Sequence, residues 1–268
     1  MPDERNDGMR RLLVTGAGRM ANLVAETAAS AGWGVVGCFG LGQEDEGMTA
    51  AHEAASAGGL DAIVDFSAPT AMSWVAPLAS ECGAALVSGT TGLGDAERAL
   101  LDEAARTVPV CWSSNYSVGV AVAAHVVREM AQVLSGDWAD DALDDAWECE
   151  IVERHHDAKV DAPSGTALSL ADAVDPEGRL RRVCGRSGMC PRQHDELGIC
   201  SVRGGTMAGT HEVGFYGSHE QLLVTHVAED RSIFAVGAVH AADLLAGCAA
   251  GRYEFADLLF GSAEGSKA

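Results

Sequence analysis

Lysine is almost missing from this chain: of its 18 lysine and arginine residues all but two, Lys159 and Lys267, are arginine. Positive charge as a whole is scarce, the formal net charge being −21. With no basic stripe to release counterions from phosphate, neither nucleic acid nor an anionic membrane is expected as a partner. An anionic small substrate would need a local cationic pocket. No apolar run reaches the roughly 18 residues that cross a bilayer. The opening MPDERNDGMRR is a polar tail without the apolar core of a signal peptide, so a soluble, cytoplasmic protein is expected. Among the eight cysteines there is no C-x-x-C pair, the usual half of a zinc site. Cys184, Cys190, His194 and Cys200 are close in sequence but read better as free thiols in a reducing compartment, and no metal is expected.

What is present is apolar material, 47% of 268 residues, enough for two domains with real cores. RLLVTGAGRMANLVAETAASAGWGVVGCFG reads as strand (12–14), tight glycine turn, helix (20–31) and strand (Val35, Val36). The pattern recurs in DAIVDFS (61–67) before a helix opened by Pro69, in AALVSGTTG (84–92) before a helix near 95–106, and in VPVCWSSN (108–115). This alternation predicts an α/β fold beginning with a Rossmann-like, doubly wound parallel sheet. After Tyr116 come an apolar helix (117–134), an acidic loop DWADDALDD, and strand-like segments at 147–153, 199–203, 210–216 and 220–227. Strands in succession predict a second domain of α+β type with a mixed sheet. IFAVGAVHAADLLAG (233–247) reads as a helix whose domain the pattern leaves open.

Gly16, Ala17, Gly18, Arg19, Met20 and Ala21 fit G-x-G-x-x-A between a strand and a helix. Gly16 permits the tight turn, Gly18 lets a pyrophosphate approach the helix N-terminus, and Ala21 allows close packing. A dinucleotide site is expected here. The acidic residue that would hold the adenosine ribose is not obvious in CFGLGQEDEG; Glu44 or Asp45 could serve after a longer loop. No arginine or lysine lies between Arg19 and Arg98, so apart from Arg19 no local cation greets a 2′-phosphate and NADH is favoured over NADPH. Two further turns sit beyond strand ends, where doubly wound sheets bind ligands: Ser88, Gly89, Thr90, Thr91 and Gly92, and Ser113, Ser114, Asn115 and Tyr116. They could approach a nicotinamide ring, or be ordinary strand-to-helix turns.

The second concentration of chemistry is HHDAKVDAPSGTAL (155–168). Arg154, His155, His156 and Lys159 form a dense cationic cluster in an acidic chain. A helix is expected after Ser164 as N-cap, leaving the N–H groups of Gly165 and Thr166 at the positive end of its dipole, where a carboxylate can bind. A lysine, unlike an arginine, can give up its proton when its surroundings favour that. Nearby histidines can share the proton work or hold substrate carboxylates. The competing reading is a solvated turn with surface charges.

ERHHDAKVDAPSGTAL closely resembles the signature E-x-H-H-x-x-K-x-D-A-P-S-G-T-A of the 4-hydroxy-tetrahydrodipicolinate reductase (dihydrodipicolinate reductase) family. G-x-G-R-M, V-D-F-S, G-T-T-G, N-Y-S-V-G-V and GTHEVGFYG (209–217) follow that family in the same order across most of the chain. The resemblance implies reduction of a cyclic dicarboxylate to tetrahydrodipicolinate by NADH or NADPH, in the diaminopimelate route to lysine. It implies a dinucleotide domain over 1–116 completed by 229–268, a hinge near N-Y-S that closes the domains and excludes water, and a substrate and oligomerisation domain over 117–228 that builds a homotetramer. By position, His155 and Lys159 take the catalytic proton-donor roles, and His156, Lys159, Gly165 and Thr166 contact the small dicarboxylate substrate. Gly16, Ala17, Gly18, Arg19, Met20, Gly89, Thr90, Thr91, Ser113, Ser114, Asn115 and Tyr116 line the cofactor. The chain departs from the family in Ala21, where glycine is usual, and in the unplaced ribose-binding acid. The 175–200 segment is compact and cysteine-bearing. An aspartate or homoserine type of dehydrogenase would explain the first hundred residues but not the lysine loop; a catalytically silent dinucleotide sensor would not need His155 and Lys159.

Overall fold

The computed structural model of the chain describes residues 9–134 and 147–261. The polar tail up to residue 8, the acidic loop DWADDALDD and Lys267 lie outside them. The chain divides into two compact units, Met1–Val118 with Ser232–Ala268, and Gly119–Arg231.

The first unit starts with β1 (Arg11–Thr15), α1 (Arg19–Ser30) and β2 (Gly34–Phe39). The expected alternation continues, with α2 (Glu44–Ser56) as an addition, through β3 (Ala62–Asp65), α3 (Met72–Cys82), β4 (Ala85–Ser88), α4 (Asp95–Ala104) and β5 (Pro109–Trp112). Pro69 opens a short 3-10 turn, Pro69–Ala71, rather than α3 itself. At the unit boundary begins α5 (Val118–Leu134), followed by β6 (Glu148–His155), α6 (Gly165–Val174), β7 (Arg181–Cys184), β8 (Glu196–Arg203), β9 (Gly209–Tyr216) and β10 (Gln221–Ala228). The chain then returns to the first unit as α7 (Ser232–Leu245), β11 (Gly251–Tyr253) and α8 (Phe255–Phe260).

The first sheet runs β2-β1-β3-β4-β5-β11 and is parallel throughout. Leu13, Ile63, Leu86 and Val110 project from its strands into a layer with Met72, Val75, Leu78 and Leu101. Strand alternation turns Leu12, Val14 and Val64 to the opposite face, where α1 and α7 pack on each other. The chain reverses direction across the sheet between β1 and β3, the place where such folds open a crevice for ligands.

The second sheet runs β10-β9-β6-β8-β7. It is mixed, because β9 is antiparallel to β6 and β10 while β8 is parallel to β6 and β7. Ala123 and Val127 of α5 and Leu170 and Val174 of α6 cover one face through Cys149, Ile151, Leu197, Ile199, Val213 and Phe215. The compact segment before β8 is tied down by ion pairs: Arg186 binds Glu150 and Glu196, and Arg192 binds Glu148 and Glu150. Cys184 and Cys190 in that segment are exposed, and Cys200 on β8 is half-buried. Among the described residues no helix is long and apolar enough to cross a membrane.

Candidate active site

In the first unit the glycine turn occupies the C-terminal end of β1. Gly16 adopts φ +124°, which a side chain disfavours. A Cβ there would also overlap the Phe66 carbonyl oxygen, while Ala21 packs beside it. The turn is held by the Gly16 N–H donating to Phe39 O at 2.7 Å. Gly18 is the N-cap of α1, no side chain caps that helix, and its first turn carries no acid. A Cβ on Gly18 would meet nothing within 4 Å, and Ala17, Gly18 and Arg19 are exposed, with Met20 half-buried. An open helix N-terminus of this kind fits an anionic pyrophosphate.

The neighbouring turns are organised around a residue that pattern reading passes over. Asp65 ends β3 fully buried, in register with Thr15 on one side and Ser88 on the other. Its carboxylate accepts from Thr15 Oγ1 at 2.7 Å, Ser88 Oγ at 2.8 Å and Thr90 Oγ1 at 2.6 Å, and from the Ser67 hydroxyl. Thr90 also accepts from the Ser67 amide at 3.0 Å, and its carbonyl from Trp112 Nε1 at 2.8 Å. The side chain of Thr90 is thereby turned inward, leaving Thr91 exposed and Gly89 half-buried. The 113–117 turn is self-braced: Ser113 Oγ donates to Asn115 O at 2.8 Å, and the Ser117 amide to Asn115 Oδ1 at 2.8 Å. Ser114 is exposed. Tyr116 is buried, its hydroxyl on Ser88 O and Cys111 O at 3.0 and 2.9 Å and its ring edge-on to Phe255. Its phenol serves the interior of the unit rather than an open surface. Glu44 and Asp45, with Glu46, form the first turn of α2, where the helix dipole favours acids; Glu44 accepts from the Gly42 amide at 3.0 Å.

The second unit holds the lysine loop. Strand alternation puts Cys149, Ile151, Glu153 and His155 of β6 on the helix-covered face. Sheet register sets Leu197, Ile199, Ser201 and Arg203 of β8 beside them. On the other side, Phe215, Val213 and His211 of β9 continue the same rows, and Leu222, Val224 and His226 of β10 extend them. Along β6, β8, β9 and β10 the face changes from apolar to polar at the same level, just where α6 begins. The polar rows form one network. Arg203 grips Glu153 with two parallel hydrogen bonds, at 2.8 Å to Oε2 and 2.7 Å to Oε1. Glu153 Oε1 also accepts from the Ser164 amide at 3.2 Å, and Oε2 lies 2.6 Å from His155 Nδ1. Burial pushes the Glu153 carboxyl up, but hydrogen bonds from Arg203, Ser201 and His155 outweigh it and hold it down to about 2.

Ser164 caps α6 as expected, accepting from the Ala167 amide at 3.2 Å, and its hydroxyl meets His211 Nε2 at 3.1 Å. The first-turn amides of Gly165 and Thr166 follow at the positive end of the helix, and space beside Gly165 is open. The His155 and His211 rings stand edge-to-face at 5.1 Å. Burial, with the neighbouring His155, lowers His211 to about 4. Gly209 makes room for the His155 ring: a Cβ there would sit 2.9 Å from Nε2. The loop that follows docks on 203–207 through the His156 amide on Met207 O at 3.0 Å and the Asp157 amide on Gly205 O at 3.2 Å. Lys159 pairs with Asp161 at 2.8 Å, which holds that carboxyl below its usual range. Lys159 is largely covered, its side chain 22% exposed, and it bears electrostatically on His211. The structure thus gathers His155, Lys159, Ser164, Gly165 and Thr166, with His156 on the same loop. It adds Glu153, Arg203, His211 and His226, which sequence reading did not single out. Period-2 alternation over 147–155 carried a signal for Glu153, two residues before His155. A cavity of about 300 Å³ at the opposite end of this face, lined by Leu134, Trp147, Arg192 and Phe215, lies at the apolar rows, away from these groups.

Comparison with known proteins bears on both units. Residues 10–116 match the family model "Dihydrodipicolinate reductase, N-terminus" and residues 119–259 the model "Dihydrodipicolinate reductase, C-terminus". The chain is 37% identical over 255 residues to the 4-hydroxy-tetrahydrodipicolinate reductase of Haloarcula marismortui, covering 92% of this chain and 98% of that one. It is 43% identical over 199 residues to the enzyme of the same name from Acinetobacter baumannii strain AYE, covering 72% and 70%. In fold it is similar to a dipicolinate-bound dihydrodipicolinate reductase from Paenisporosarcina sp. TG-14, with TM-score 0.67, 18% identity, and coverage of 92% and 97%. With both units matched in order and relatives aligned over most of its length, the chain belongs to the dihydrodipicolinate reductase family, oxidoreductases of lysine biosynthesis through diaminopimelate.

Proposed function

We propose that the chain reduces 4-hydroxy-tetrahydrodipicolinate to tetrahydrodipicolinate with loss of water, His155 and Lys159 being its proton-handling residues. The observation that carries this reading is the Glu153-clamped His155 beside the start of α6, with Lys159 on the adjoining loop. A dicarboxylate suits this place. The Gly165 and Thr166 amides receive one carboxylate at the helix N-terminus, while His156 and Lys159 supply charge-assisted donors for the substrate. The Paenisporosarcina reductase is dipicolinate-bound, and dipicolinate is itself a small cyclic dicarboxylate, which supports a ligand of that class here. Reduction of a conjugated imine leaves negative charge on ring atoms, and a positioned proton donor among cations stabilises it.

NADH or NADPH supplies the hydride when bound. Gly16, Ala17, Gly18, Arg19 and Met20 take the pyrophosphate at the start of α1. Gly89, Thr90 and Thr91 with Ser113, Ser114, Asn115 and Tyr116 form the two turns that hold the nicotinamide end, Tyr116 through its backbone. Glu44, Asp45 and Glu46 open α2 after the short loop that follows β2, and a 2′-phosphate would meet their charge, so NADH is used at least as well as NADPH. The dinucleotide domain comprises 1–116 and 229–268, and the substrate domain 117–228. Exposed Val202, Leu223 and Val227 lie on the sheet face away from the helices, which suits an apolar contact between copies in a homotetramer.

The test couples the purified chain to a synthase that makes the substrate from pyruvate and aspartate semialdehyde, and follows loss of reduced cofactor. Oxidation should require the synthase and both of its substrates, and kcat/KM with NADH should equal or exceed that with NADPH. Dinucleotide binding without turnover on fresh substrate would favour a silent sensor instead.

A further inference from the structure

Glu153 has no assigned part in the chemistry, yet it is a fully buried carboxylate one strand pleat from His155. We infer that Glu153 is the positioning residue of His155: its carboxylate, fixed by Arg203 and the Ser164 amide, keeps the proton on Nδ1 and makes Nε2 the atom that exchanges protons. The inference rests on the reading of His155 as a proton-handling residue.

The donors and acceptors around Glu153 decide which ring nitrogen holds the hydrogen. An ionised carboxylate only accepts. Both Glu153 oxygens already receive N–H groups, Oε1 from Arg203 and Ser164 and Oε2 from Arg203. The 2.6 Å contact between Oε2 and His155 Nδ1 is therefore a donation by the ring, so Nδ1 carries the hydrogen in the neutral imidazole as well as in the imidazolium. Nε2, across the ring, is left as the nitrogen that alternates between lone pair and N–H. It lies beside Gly209, where the lack of a side chain leaves the ring its space.

Arg203 makes this orientation rigid. Its two-pronged grip fixes the carboxylate plane, and the same guanidinium reaches back to Asp161 O at 2.6 Å, joining Glu153 to the loop that carries Lys159. Orientation of a catalytic imidazole by a buried carboxylate works through tautomer and geometry. What Glu153 contributes is thus distinct from bulk stability.

Glu153→Gln tests it. In that variant Arg203 claims the amide oxygen, the amide nitrogen faces Nδ1 and donates to it, and the ring hydrogen moves to Nε2. The readout is the nitrogen-15 spectrum of histidine-labelled protein without substrate, recorded where the ring is neutral, with His155 assigned by its loss in His155→Gln. We expect the Nδ1–H form in the unaltered chain, the Nε2–H form in Glu153→Gln, and the Nδ1–H form regained in Glu153→Asp. In turnover, Glu153→Gln should lose on the order of 10²–10³-fold in kcat with KM changed only a few-fold, and Glu153→Asp should regain part of it. An Nε2–H ring in the unaltered chain overturns the inference whether or not any variant folds. So does a Glu153→Gln chain that slows while its tautomer stays the same, since Glu153 would then be only structural. A His155→Gln enzyme with normal kcat would instead sink the proton-handling reading, and leave the tautomer result to stand by itself.

Discussion

An arginine at position 159 would carry the charge of Lys159 and could equally pair with Asp161, yet this chain, which chooses arginine nearly everywhere else, places a lysine there. The difference between the two side chains is that an ammonium can part with its proton and a guanidinium cannot. Lys159→Arg should therefore keep KM for the dicarboxylate within a few-fold and lower kcat by roughly 10²–10⁴-fold. His155→Gln should also depress kcat, and the double variant should lose less than the product of the two single losses if both groups serve one proton-transfer unit. Dinucleotide affinity, measured by titration without substrate, should be unchanged in each. A Lys159→Arg enzyme with near-normal kcat would mean that only the positive charge matters. At this scale the sequence displayed His155 and Lys159, because they fall within one short unusual stretch. Arg203 stayed hidden because it reaches Glu153 across 50 residues of chain, through a sheet register that no local pattern reports. His211 lay in view within GTHEVGFYG, but without a role until the register set it opposite Glu153.

Among the elements, those with a continuous apolar run or a clear helical stripe were legible, and the rest were not for definable reasons. The buried face of α2 is only Gly47, Ala51 and Ala54, too small to register as a stripe. The short strand β7 is a charged, largely exposed edge, and β11 has three residues. What ties the legible strands to the first-unit site is Asp65, which joins β1, β3 and β4 through the hydroxyls of Thr15, Ser88 and Thr90. With four hydroxyl donors converging, Asp65→Asn brings an NH₂ group against donors and leaves at least one pair unsatisfied. The expected cost is about 1–3 kcal/mol of stability. Because Thr90 is anchored by this carboxylate, the 88–92 turn should loosen too, and NADH should bind several-fold more weakly. Thermal unfolding and a dinucleotide titration measure the two effects. A variant with unaltered melting and unaltered NADH affinity would show that the hydroxyls find other partners and that Asp65 does not brace the turn.

For the whole molecule, acid acts in two opposed ways. The formal charge of −21 at neutrality means self-repulsion, which protonation of carboxylates relieves, favouring the compact state as pH falls. The polar rows of the second sheet respond the other way. His211, facing His155, His226, Glu153 and Lys159, is lowered to about 4 by burial, and burial lowers His226 as well. A histidine whose folded pKa lies below its unfolded value gives stability that is complete above the unfolded value, near 6.5, and is lost as pH falls toward and through 4. Glu153, held down to about 2, gives stability that is complete above the ordinary carboxylate range and is lost only in stronger acid. Between neutrality and mild acid His211 is therefore the larger local change, and His211→Gln removes it while the global charge effect remains. Urea unfolding at about pH 7.5 and about pH 5 should show the unaltered chain losing on the order of 2 kcal/mol relative to His211→Gln over that interval. The comparison of the two slopes is insensitive to whatever constant penalty the substitution brings. Parallel stability curves would mean that His211 takes up its proton inside the fold without cost, and that the histidine row is open to water rather than sealed beneath the start of α6.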